Sequence, residues 1–215
     1  MSIKVHGLAL SPFVRKVRVV LLEKHLPYEL IATSFPLPDD FVRLNPLKRI
    51  PVLEHDGHIL PDSGVITHYL ERCFPASALV PAEPYAAARC EWFEKFADYE
   101  MRNALEAIFR ERVVNLLFGK TCNEEKVSQA LQEVEPQFDY LERELGNNTF
   151  FVDNSFSLAD IALACIMINM EHGGESLERS RWPNLRNWYE RVLARPSFAS
   201  VLPEERDFVN ALRGK

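Results

Sequence analysis

Three short pieces of this sequence carry residue types able to hold and activate a small polar molecule. The first is Ser11-Pro12. It lies between an alternating stretch, Ile3 to Leu8, and an apolar-basic run, Phe13 to His25. Ser is a favoured N-cap and Pro is preorganised for the first helical position, so the Ser11 hydroxyl is predicted at the positive end of a helix. An exposed hydroxyl there could donate a hydrogen bond to a bound thiolate. A free thiol has a pKa near 8.5, and such surroundings lower it to below about 7.5 and make the nucleophilic thiolate abundant. The protein would then supply orientation and electrostatics while the ligand supplies the sulfur. On residues 11–25 taken alone, the plain helix cap is the favoured reading of Ser11, because Ser-Pro helix starts are common, and Asn45–Glu71 reverses that preference.

The other two pieces fall within Asn45–Glu71, NPLKRIPVLEHDGHILPDSGVITHYLE. A loop ends at Ile50-Pro51, where a main-chain N–H and C=O could be offered beside a strand. X-Pro bonds are mostly trans, and sequence does not decide the isomer. Val52–His55 and His58–Leu60 read as a hairpin around Asp56-Gly57, because the tight turn needs positive φ at both central residues. Pro61-Asp62-Ser63 then opens a helix whose N-terminal N–H groups suit a carboxylate.

These pieces require a scaffold. Ile3–Leu8, Phe13–His25 and Tyr28–Thr33 make a strand, helix and strand, the helix burying Val14, Val17, Leu21 and Leu22 and turning Arg15, Arg18, Glu23 and Lys24 to solvent. Phe35–Pro38 is a loop and Asp39–Leu44 a short helix. The hairpin and the helix after Ser63 complete a βαβ–ββα order through about Phe74. Pro75, Pro81 and Pro84 mark a linker. Beyond it the chain is helical: Tyr85–Phe118, with Phe93, Phe96 or Ala97, Met101, Leu105, Ile108 and Phe109 in line, then Glu124–Leu145, kinked near Pro136 and stopped by Gly146. Ser157 with Asp160 reads as a capping box at the start of an apolar helix, Leu158–Met170, which makes Asp160 structural. A helix from Trp182 to Ala194 ends at Pro196, and a short one covers Glu204–Leu212.

NPLKRIPVLEHDG followed by LPDSGVITHYLE resembles the glutathione-binding half of the glutathione S-transferase family. SPFVRKVRVVLLEK likewise resembles the first helix of its serine-type members, including the plant tau class and many bacterial ones, while a zeta-like member is matched only at Ser11. The resemblance implies an α/β thioredoxin-like domain over residues 1–77, a linker over 78–84 and an all-α helical domain over 85–215. It implies that Ser11 is catalytic, that Ile50 and Pro51 pair with the cysteinyl main chain of glutathione, and that Asp62 and Ser63 hold the γ-glutamyl end. The tau-like lysine upstream of the proline has no match in Phe35–Asp40, which leaves Lys48 or Arg49 for the glycyl carboxylate, or as solvated loop charges. Leu10, Phe13, Met101, Leu105 and Phe109 are the expected lining of a pocket for a hydrophobic electrophile. Ser11 and Val14 occupy the positions of a redox C-x-x-C pair, so dithiol chemistry is not expected. Pro12, Phe13 and Val14 depart from the serine-rich run of maleylacetoacetate isomerases. A glutathione-dependent isomerase or peroxidase remains the alternative reaction, and a non-catalytic binding or scaffold protein the alternative class. The family also implies a homodimer.

The composition fits this reading. A formal charge of −6 over 215 residues gives no reason to expect nucleic-acid binding. No apolar run reaches the roughly 18–20 residues of a membrane span, and MSIKVHGLALSPF lacks the features of a signal peptide. Cys73, Cys90, Cys122 and Cys165 form no C-x-x-C and suit a reducing, cytoplasmic setting. The histidines show no metal-ligand spacing, so no metal is expected.

Overall fold

The computed structural model describes residues 2–34 and 36–214; Phe35, the first residue of the expected Phe35–Pro38 loop, lies outside the described residues, as do Met1 and Lys215 at the outer limits of the expected domains. The chain divides into two compact units, Met1–Leu79 and Val80–Lys215.

The first unit runs β1 (Ile3–Gly7), α1 (Pro12–Glu23), β2 (Glu29–Ala32), a 3-10 turn at Asp39–Arg43, β3 (Val52–His55), β4 (His58–Pro61) and α2 (Ser63–Cys73). The sheet order is β2-β1-β3-β4. β1 and β2 are parallel, as a helical crossover requires, and β3 and β4 run antiparallel to their neighbours. This is the expected βαβ–ββα thioredoxin-like arrangement. Asp56 and Gly57 take φ of 46° and 85°, the positive pair that the two-residue hairpin demands. Val5, Val52 and Leu53 from the sheet, Val14, Val17 and Leu21 from α1, and Ile66 and Leu70 from α2 are all fully buried and form the core.

One expectation for α1 is overturned. Arg15, Arg18 and Lys24 do not face solvent; they are buried, as is Lys16. Burying a cation is tolerable only when its donors are satisfied. Lys24, which caps α1, donates from Nζ to the carbonyls of Phe74 (2.9 Å) and Ser77 (2.8 Å) and pairs with Glu71 at 2.7 Å, tying the end of α1 to the end of α2. Arg18 donates from Nε to the Tyr28 hydroxyl at 3.0 Å. Helical periodicity alone reads such residues as a polar face, because it carries no information about acceptors on other elements. Leu22, expected in the core, is only half-buried.

The second unit is all helical among its described residues apart from an isolated bridge between Val152 and Ser155. Its first run is α3 (Pro84–Lys95), a π-helical segment Phe96–Met101, α4 (Arg102–Phe109), a second π segment Arg110–Val114, and α5 (Asn115–Leu117). The breaker-free stretch expected as one helix is therefore continuous but twice widened. α6 (Glu124–Leu145) follows and remains helical through Pro136 until Gly146, whose φ of 50° ends it. Next are α7 (Leu158–His172), α8 (Pro183–Leu193) and α9 (Pro196–Leu212). Pro196 does not merely terminate a helix. It occupies the first turn of α9, where its missing N–H costs nothing, so the last helix begins eight residues earlier than expected and carries Pro203 inside it.

α7 is buried on nearly every side and is the axis of this unit. The capping box at its start is present. Asp160 Oδ2 accepts from the Ser157 main-chain N–H (2.9 Å) and hydroxyl (3.1 Å), while Oδ1 accepts from the Phe151 N–H (3.2 Å) and Trp188 Nε1 (2.8 Å). The Phe151 ring packs between Phe93, tilted at 54°, and Trp188, edge-to-face at 84°, at centroid distances of 4.8 and 4.9 Å. Asp160 is therefore structural, as its spacing to Ser157 predicts.

Candidate functional site

Sheet register decides where the three candidate pieces meet. His6 is paired with Val52, and Val52 with Pro61. The turn after β1, the residues before β3 and the residues after β4 therefore all leave the sheet at the same end. Leu8–Ser11, Ile50-Pro51 and Asp62-Ser63 are those residues. The parallel pair Gly7–Ala32 sends the chain after β2 out at that end too, and it returns through Lys48 and Arg49.

Ser11 is half-buried at the N-cap of α1. Its Oγ accepts from the Val14 N–H at 3.5 Å, longer than an ordinary N–H···O bond. In that contact the hydroxyl only accepts, so its own proton is available to a ligand. Gly7 sets how closely the helix approaches the strand: a Cβ there would meet Val14 Cγ2 at 2.4 Å. The Ile50-Pro51 bond is cis, with Pro51 buried and Ile50 half-buried. Asn45 braces the loop before it, donating from Nδ2 to the Arg49 carbonyl (2.8 Å) and accepting at Oδ1 from the Leu47 N–H (2.9 Å).

Asp62 is the N-cap of α2, with Oδ1 accepting from the Val65 N–H at 3.1 Å. Its φ of 76° is strained for a residue with a Cβ, at a cost on the order of 1–3 kcal/mol. Ser63 is buried beside it and starts the helix, where the first N–H groups have no acceptor within the helix. An exposed carboxylate thus stands next to a helix N-terminus. That combination suits a zwitterion, the carboxylate meeting an ammonium and the N–H groups meeting a carboxylate. Lys48 and Arg49 are exposed, and Lys48 Nζ pairs with Asp39 at 2.7 Å, which holds the Asp39 carboxyl below its ordinary range. Of the expected pocket lining, Leu10, Phe13 and Phe109 are half-buried, whereas Met101 and Leu105 have no exposed surface. Among the described residues no group of three His, Cys, Asp or Glu side chains could hold a metal ion.

Both halves of the chain match known family models. Residues 5–78 match the glutathione S-transferase N-terminal domain, and residues 96–196 match the glutathione S-transferase C-terminal domain. The chain belongs to the glutathione S-transferase family. Among similar proteins, a probable glutathione S-transferase of Glycine max is 28% identical over 94% of this chain and 88% of its own length. The rice protein named probable glutathione S-transferase GSTU6 is 29% identical over 96% of this chain and 90% of its own. A solved glutathione S-transferase from Rhodospirillum rubrum F11 superposes with a TM-score of 0.86, at 26% identity, covering 93% of this chain and 91% of that one.

Within this glutathione S-transferase, sequence reasoning overlooked three residues that shape the site. Asn45 carried a signal, since Asn two residues before a turn N–H is a common side-chain brace. Gly7 gave none that alternation over Ile3–Leu8 could reveal, because its role depends on how closely Val14 approaches. Arg15, fully buried behind Ser11, gave none, because its burial depends on contacts that no local pattern encodes.

Proposed function

We propose that this glutathione transferase activates glutathione through Ser11 and transfers its sulfur to an electrophilic, hydrophobic small molecule. The register that brings the Ser11 turn, Ile50-Pro51 and Asp62-Ser63 to one end of the sheet is the observation that carries this reading. The Ser11 O–H donates to the glutathione sulfur as its proton leaves to solvent. The thiolate then attacks carbon; a carbon–sulfur bond forms and the bond to the leaving group breaks, the electron pair departing with that group. The dipole of α1 adds to the stabilisation of the thiolate.

The remaining contacts follow the chemistry of the tripeptide. The Ile50 main chain pairs with the cysteinyl residue. The Asp62 carboxylate takes the γ-glutamyl ammonium, and the start of α2 at Ser63 takes its carboxylate. Lys48 and Arg49 are the cations available to the glycyl carboxylate. The Lys48–Asp39 pair is exposed, and exchanging such a pair costs little. We also propose a homodimer. Tyr85, Trp92 and Tyr99 are exposed at intervals of seven on the long helical run of the second unit, and Val65 is exposed on α2 of the first; these are apolar side chains that a second copy would cover.

Glutathione-affinity binding and turnover of an activated aryl halide test the assignment. Ser11→Ala should keep the fold and lose most of the rate; undiminished turnover would remove Ser11 from the mechanism. A substrate panel that monitors glutathione consumption separates conjugation from isomerisation, which consumes none.

A further inference from the structure

Ser11 is bracketed by two main-chain carbonyls, that of Leu10 before it and its own after it. Both are held by one residue. The Arg15 main-chain N–H donates to the Ser11 carbonyl at 2.9 Å, and the Arg15 guanidinium Nη2 donates to the Leu10 carbonyl at 3.4 Å. The first bond is the ordinary opening bond of α1 and any residue would make it. The second depends on the side chain. It reaches back over a full helical turn to the peptide plane that immediately precedes Ser11. The Ser11 N–H in turn donates to the Leu8 carbonyl at 3.0 Å, so the turn is pinned on both sides of the hydroxyl.

The placement of Arg15 is costly in two ways. Its side chain is fully buried, where a cation needs its donors met. It also lies near the positive end of a helix that has no acidic residue in its first turn, with Lys16 and Arg18 buried just beyond it. Cations there oppose the helix dipole.

We propose that Arg15 is the positioning residue for Ser11: its guanidinium fixes the Leu10–Ser11 peptide, and with it the direction in which the hydroxyl presents its proton. The inference rests on the Ser11 reading given above. Arg15 acts through Ser11 and need not touch glutathione.

Three variants of the full chain, Ser11→Ala, Arg15→Met and the double variant, are compared with wild type. Bound glutathione is titrated by its thiolate ultraviolet absorbance, and kcat and KM are measured with the aryl halide. Arg15→Met should raise the pKa of the bound thiol by about one unit and lower kcat by about tenfold, since one unit is a factor of about ten in thiolate population below the pKa. Its KM for glutathione should stay within about twofold. Arg15→Lys, which keeps the charge without the planar fork, should recover part of the loss. Adding Arg15→Met to Ser11→Ala should cost nothing further, since residues acting as one unit are not additive.

A wild-type titration in Arg15→Met, or losses that multiply in the double variant, would overturn the inference. Should Arg15→Met not fold, Arg15→Lys decides: an upward titration shift supports the inference and an unchanged one overturns it. Ser11→Ala titrating like wild type would instead overturn the Ser11 reading itself.

Discussion

Replacing Asp160 by Ala should weaken the helical unit by about 3 kcal/mol at neutral pH without touching the chemistry. The carboxylate is fully buried and accepts four hydrogen bonds, from the Ser157 N–H and hydroxyl, the Phe151 N–H and Trp188 Nε1. The Ser157 hydroxyl can turn elsewhere, but the other three donors would be stranded. At about 2 kcal/mol for each buried donor left unpaired, the gross loss is about 6 kcal/mol. Part of this is recovered because the buried charge goes as well. Burial pushes the Asp160 carboxyl up from 3.8 to about 6, against the four donors that pull it down. At about 1.4 kcal/mol per pH unit, that shift is a penalty of about 3 kcal/mol on the ionised form, which leaves the net figure. The sign has a further consequence. A folded-state pKa above the unfolded one gives stability that is fully present below the unfolded value and lost as pH rises through the folded one. Between about pH 4 and pH 7 the wild type should lose stability that Asp160→Asn, which does not titrate, keeps, so the gap between them should narrow. Urea unfolding followed by tryptophan fluorescence measures this directly, since all 3 tryptophans, Trp92, Trp182 and Trp188, belong to the helical unit. A loss below about 1 kcal/mol for Asp160→Ala would refute the reasoning, as would a gap to Asn that does not change with pH.

Asp62→Gly should relieve the strain of the φ of 76°, so that stability holds level or rises by about 1 kcal/mol, while glutathione affinity measured by calorimetry falls at least about tenfold for want of the carboxylate. Gly7→Ala should cost about 1–3 kcal/mol in thermal unfolding, because the new methyl would meet Val14 Cγ2 at 2.4 Å and push α1 away from β1. A thiol reagent applied to the native protein should label exposed Cys73 first and spare Cys90, whose thiol burial pushes up to about 11; mass spectrometry of the labelled peptides reads the order.

The parts of the fold legible in the sequence are those fixed by neighbours along the chain. Asp56-Gly57 demands its hairpin, Ser157 with Asp160 its capping box, and Ser11-Pro12 and Asp62-Ser63 their helix starts. Each is a local backbone requirement met by a local residue type. The same is true of the end of the sheet where the three candidate pieces meet: once the order of strands is read, β3 and β4 must return the chain beside the end of β1. What local pattern could not supply was the destination of long side chains. Arg15, Arg18 and Lys24 look like a solvated face until the Leu10 carbonyl, the Tyr28 hydroxyl and the Glu71 carboxylate are known to be in reach. Pro196 is ambiguous in sequence for a related reason, since Pro suits the first turn of a helix as well as the end of the one before it. Much of the proposed glutathione contact is made by main chain and helix termini, which suits a family whose members here share little more than a quarter of their residues with this chain.

The two widened segments in the long run from Pro84 to Leu117 deserve a last consequence. A π turn is an α turn that has absorbed one surplus residue. Were the same residues wound as an unbroken α-helix, everything downstream would be rotated by about 100°. Deleting a single residue within Phe96–Met101 would therefore let that turn close to an ordinary α turn and keep Leu105 and Ile108 facing the core, whereas deleting one between the segment and Leu105 would swing them out of it. Single-residue indels outside the widened turns, more than substitutions, are thus the changes that exchange one inward face of this stretch for another, and the widened turns are where such a change is absorbed.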